Sequence, residues 1–224
     1  MPVKTKILLL CGAIAGPLFT VAWILEGSAR ADYSALRHPI SSLAIGEFGW
    51  TQAATFIATG LLTLAFAIGL RRALPSHGGS TWGPLLIGAI AIGFLGAGLF
   101  VTDPLNGYPP GTPNLPLQYS LAGRLHRLFS ALFFFGLPLA CLVSARRFAK
   151  WGDSAWTIYS TVTALAFLAA FVLASAAFAQ AEGLVGFAGL FQRIVVTIGW
   201  LWLTLLAVHM LRARKEPSGL APRY

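Results

Sequence analysis

Two imidazoles, a carboxylate and a few hydroxyls stand in this chain at spacings that chemistry can use. His38 lies in Arg37-His38-Pro39-Ile40-Ser41-Ser42-Leu43, where proline suits the first position of a helix and makes His38 its N-cap. In a short helix starting there, Ser41 and Ser42 fall three and four residues on, on the His38 face. A second stretch, Gly123-Arg124-Leu125-His126-Arg127-Leu128-Phe129-Ser130, places Ser130 at i+4 from His126. Asp103 precedes Pro104 at the end of a long apolar run. Brought together, His38, Asp103 and His126 form an acceptable ligand set for zinc, with a fourth position left to water. Zinc-bound water has a pKa of about 7 and attacks esters or amides, with Ser42 as a helper. Each residue also has a plain structural use. Asp103 can end a helix, His38 can cap one, and His126 can meet a backbone carbonyl.

The arginines raise a different chemistry. Arg124 and Arg127 share one helix face, and Arg193 stands beside Gln192. A charge inside a bilayer costs roughly 2.5–3.5 kcal/mol on insertion scales, so such residues take a partner or a ligand. Glu47, Asp103 and Glu182 are available partners, and a lipid phosphate matches the planar guanidinium. A snorkelling arginine at the interface is the simpler alternative.

Six apolar stretches must position these groups. The chain is 57% hydrophobic and 10% charged, with a mean hydropathy of +0.74. Soluble domains carry about 25% charged residues, so composition points to a membrane. A span needs about 20 residues of helix, and the sequence predicts helices over 7–25, 50–70, 83–102, 123–145, 154–179 and 191–211. Glycines at Gly12 and Gly16, and at Gly88, Gly93, Gly96 and Gly98, predict close helix packing. Pro104, Pro109, Pro110, Pro113 and Pro116 predict a stiff irregular loop over 103–122, capping the bundle at the interface. Paired glycines, Pro75 and His77 predict a turn over 73–82.

Charge orients the bundle. Eleven Lys and Arg fall at one set of helix ends and five at the other, while the acids divide two against five. The positive-inside bias makes the basic face cytoplasmic and puts both termini there. The net charge of +9 is thereby a matter of topology, and no basic patch with interleaved aromatics points to nucleic acid. Cys11 and Cys141 lie inside apolar stretches without metal-ligand spacing, as small packing residues. The first stretch is longer than a signal-peptide core of roughly 7–15 residues and is read as a retained helix.

At Ser41-Ser42-Leu43-Ala44-Ile45-Gly46-Glu47-Phe48-Gly49-Trp50-Thr51-Gln52 the chain resembles the bacterial DUF998 family of multi-spanning membrane proteins. The likeness continues at Thr102-Asp103-Pro104, Gly107-Tyr108-Pro109-Pro110-Gly111 and Leu125-His126. It implies an integral membrane protein of about six helices. A further likeness is to seven-helix membrane hydrolases such as alkaline ceramidases, which use His, Asp and Ser around zinc. This chain lacks their third histidine in a late helix, and His209 is expected at the opposite membrane face.

The reading is an all-α, polytopic six-helix bundle over 1–211, with a polar cytoplasmic tail over 212–224. It lies in the inner membrane, with membrane lipids as partners and a polar site at the outer face. The expected function is to bind a lipid or other amphiphile there, with Glu47, Arg124, Arg127 and Arg193 as ligand contacts. The alternative is a zinc-dependent hydrolase of lipid esters or amides, using His38, Asp103 and His126 as ligands. A transporter comes third, because no repeat between the halves and no pair of interrupted helices is visible.

Overall fold

The computed structural model describes residues 1–74 and 81–212. The expected turn around Pro75 and His77 and the polar tail after Arg212 lie outside the described residues. Six helices are long and apolar enough to cross a membrane: α1 (Val3–Ser28), α2 (Gly49–Ala73), α3 (Trp82–Leu99), α4 (Leu121–Lys150), α5 (Ser154–Phe178) and α6 (Ala188–Arg212). The protein is a multi-pass, all-helical membrane protein, and no strand occurs among the described residues.

Each helix packs on its sequence neighbours, and α1 packs on α6, so the six close into a ring. Lipid offers no hydrophobic drive between helices, and close approach of small residues supplies it instead. Gly12 of α1 receives the ring of Phe66, and Gly16 lies against Trp200 and Thr204 of α6. Gly93 and Gly96 of α3 take Phe129 and Leu132 of α4, while Gly98 faces Ala53 and Ile57 of α2. Gly88 departs from the expectation: nothing lies within 4 Å of the site a Cβ would take. Aromatic rings fill the middle of the ring of helices. Phe94 has its ring centroid 5.3 Å from Phe19, 5.3 Å from Phe133 and 5.0 Å from Trp200. Such tilted and edge-on pairs contribute about 0.5–1.5 kcal/mol each beyond the area they bury.

Several helix ends differ from the expected ones. α3 stops at Leu99, because Phe100 turns extended. α4 begins at Leu121, where the Ser120 hydroxyl accepts the Gly123 N–H at 2.9 Å, and it runs on through Arg146 and Arg147 to Lys150. The expected helix starting at Pro39 is a 3₁₀ turn, Ile40–Ala44, with Pro39 itself in the capping position. His38 therefore does not cap it.

Candidate functional site

The loops at the end of the bundle away from Lys4, Arg71 and Lys150 knit into a cap. Its hub is Asn106, fully buried and held at φ +57°, a left-handed conformation that asparagine tolerates better than most residues. The Asn106 amide donates to Arg37 O at 3.0 Å and accepts from Gln180 Nε2 at 2.6 Å. Its own carbonyl takes Arg37 Nε at 3.0 Å. One residue thus ties the α1–α2 loop, the proline-rich loop and the α5–α6 turn together.

Arg193 fastens the cap from below. It is 6% exposed, donates to His38 O at 3.0 Å, Gly189 O at 2.9 Å and the Tyr33 hydroxyl, and lies over the Trp23 ring. No carboxylate pairs with it among the described residues. Its charge is met by carbonyls and aromatic faces, so the expected acidic partner is replaced by backbone. The rings of His38, Tyr33 and Tyr108 form a triangle with centroids 5.1–5.6 Å apart, and His38 Nδ1 accepts the Ser34 N–H at 3.0 Å. Burial, with the positive charges of Arg37 and Arg193, pushes the His38 imidazole below its ordinary value; a hydrogen bond to the Asn106 backbone opposes this.

Beneath the cap a cleft of about 470 Å³ lies between α4 and α5, within the range of ligand pockets, about 300–1,000 Å³. Its walls are apolar, with Phe134, Phe135, Phe171 and Phe178, and Phe135 is 59% exposed on the outside of the bundle. Asp103, Tyr119 and Arg127 line its polar side. The Arg127 guanidinium sits 4.2 Å from the centroid of the Tyr119 ring. Asp103 Oδ2 accepts the Ser120 N–H at 3.0 Å, so the carboxylate also seats the start of α4. A Cβ at Gly123 would run into that carboxylate and displace it.

The cleft adjoins a chamber of about 60 Å³ near the core aromatics, and Ser41, His126, Ser130 and Gln192 line both. His126 is 4% exposed, and its Nδ1 lies 3.2 Å from Ala97 O and 2.8 Å from Phe100 O. These carbonyls belong to the end of α3, where the last turn lacks intrahelical partners. Both are acceptors, so in the neutral imidazole Nδ1 carries the proton and Nε2 keeps its lone pair. Gln192 is oriented in the same way. Its Oε1 accepts the Ile40 N–H at 2.8 Å, which leaves the amide NH₂ as a donor.

The family model described as a protein of unknown function, DUF998, matches residues 13–209. The chain belongs to the DUF998 family. The match runs from within α1 to within α6 and takes in the cap and the cleft. No curated protein and no solved structure matches the chain.

In this DUF998 member the sequence-derived residues part company. Asp103, His126 and Arg127 share the cleft, and Ser41 joins them in place of Ser42. Ser42 is fully buried, with its hydroxyl unpartnered, and lines neither cavity. His38 and Arg193 belong to the cap, while Glu47 and Arg124 are exposed and outside the cleft. His38, Asp103 and His126 are not grouped as zinc ligands: no set of three His, Cys, Asp or Glu among the described residues could hold a metal ion. The reason is local, since the His38 ring is drawn into the cap by Ser34 and the two tyrosines. Asn106, Gln180 and Gln192 carry no charge and no helical period that would single them out, and only the Asn106-Gly107 turn pair hints at the hub. At the opposite end, His209 Nε2 lies 3.8 Å from Asp153 Oδ2, linking α6 to the N-cap of α5.

Proposed function

We propose that this protein holds a lipid or other amphiphile in the cleft between α4 and α5. It does so in the inner membrane, with both termini cytoplasmic and the cap on the outer side. The carrying observation is the cleft itself: it is flanked by phenylalanines that reach the outside of the bundle and bounded on its polar side by Asp103, Tyr119 and Arg127. An apolar chain entering from the bilayer would lie along the phenylalanines, and its polar groups would meet the polar lining of the cleft. Arg127, spread over Tyr119, offers a planar donor to polar groups of the ligand that stay at the interface. Lipids are the ligands this geometry meets at highest concentration.

Ala131→Trp tests this by filling the cleft from α4. Lipid extracted with the purified protein and identified by mass spectrometry should lose its principal species in Ala131→Trp. Val172→Trp, at a site 64% exposed on the same helix pair, should retain it. Equal lipid content in all three proteins would remove the cleft as the binding site.

A further inference from the structure

The choice of head group, which rests on the amphiphile reading, turns on the inner end of the cleft. Two oriented side chains line it. His126 presents a lone pair at Nε2, because Ala97 O and Phe100 O have claimed its one proton at Nδ1. Gln192 presents an N–H donor, because the Ile40 N–H has claimed its oxygen. Nε2 of His126 and Nε2 of Gln192 have no hydrogen-bond partner among the described residues. Phe19, Phe56 and Phe94 close the chamber behind them.

We propose that this end of the cleft receives a hydroxyl group carried on a long apolar chain. An alcohol oxygen both donates and accepts, so its O–H goes to His126 Nε2 while its lone pair takes a proton of the Gln192 amide. Ser41 and Ser130 line the same space and add to its polar surround. A phosphate or carboxylate only accepts, so it would set its charge against the His126 lone pair inside an aromatic chamber that cannot solvate it. An ether accepts from Gln192 and leaves His126 unsatisfied. The charge of Arg127, by contrast, lies on an exposed side chain at the polar side of the cleft. The ligand class is therefore a neutral hydroxyl lipid, either a single-chain alcohol or a diacylglycerol with its free hydroxyl.

The test uses full-length protein in nanodiscs and equilibrium binding of tritiated 1-hexadecanol, hexadecyl methyl ether, hexadecanoate and dioleoylglycerol. The expected result is that hexadecanol or dioleoylglycerol binds about tenfold more tightly than the ether, the difference one well-made hydrogen bond supplies. Whichever hydroxyl lipid binds more tightly identifies the source. Gln192→Glu keeps an acceptor for the Ile40 N–H and removes the donor, and should erase most of the preference, as should His126→Phe. Equal affinity for alcohol and ether in the wild type overturns hydroxyl recognition and leaves the amphiphile reading standing. Tighter binding of hexadecanoate overturns it in favour of an anionic head at Arg127. If none of the four binds, the cleft reading itself falls. The comparison of alcohol with ether needs no variant, so a misfolded His126→Phe protein does not blur the outcome.

Discussion

A neutral His38 is what the cap is built to hold. Its Nδ1 accepts a backbone N–H from Ser34, a role an imidazolium cannot fill. Protonation would also place a third positive charge beside Arg37 and Arg193. The sign follows from linkage. The folded state holds the imidazole below its ordinary value of 6.5, so above that pH both states are neutral and the cap keeps its full stability. As pH falls below 6.5 the unfolded chain takes up the proton first, and stability is lost until the folded pKa is passed. Thermal unfolding in detergent from pH 7.5 to 5 should show a falling Tm, and His38→Gln should show a smaller fall. Equal slopes in the two proteins would place the titration elsewhere. The arginines carry a related lesson. Arg193 was legible as a charge that needs a partner, but nothing in the sequence distinguishes a carboxylate partner from a ring of carbonyls. Asn106 was invisible as a hub because a single amide in a loop has no periodicity, and Arg37 and Gln180, which its side chain joins, are more than 60 residues away in either direction.

Among the elements, the contact of α3 with α4 decides where the cleft can be. Gly96 admits the Phe129 ring against the α3 backbone, one residue before Ala97, whose carbonyl orients His126. Enlarging that residue would push the helices apart and move the carbonyls away from the imidazole. Gly96→Leu should cost about 1–3 kcal/mol, the usual penalty for overpacking, and should weaken ligand binding in the cleft. A lower Tm with unchanged binding would show that the α3 carbonyls do not set the His126 orientation. Helix existence was legible here, since long apolar runs have few other uses. Helix ends were not. Arg146 and Arg147 read as loop residues on charge alone, yet a helix continues past the bilayer wherever its side chains reach water. Likewise, Pro39 signals a helix start, but the five residues that follow close as a tight 3₁₀ turn with four of them buried.

For the whole molecule, alternating charge at the helix ends sets an orientation that a labelling experiment reads directly. In a Cys11→Ala/Cys141→Ala background, Leu117→Cys in the proline-rich loop should react with an impermeant maleimide on intact cells. Lys150→Cys, at the basic end of α4, should react only after lysis. The reverse pattern would invert the bundle and put the cleft on the cytoplasmic side. The six-helix architecture was legible from length, hydropathy and charge together, whereas ring closure by α1 and α6 was not, since it depends on which small residues find each other in space. That closure also orders events in time. During synthesis α1 is made before α6, so the Gly16 face of α1 waits in the bilayer without its partner until α6 follows. The cap waits as well, because Arg193 and Gln192, which anchor its first loop, emerge with α6. A chain stopped before α6 carries five helices with neither a closed ring nor a fastened cap.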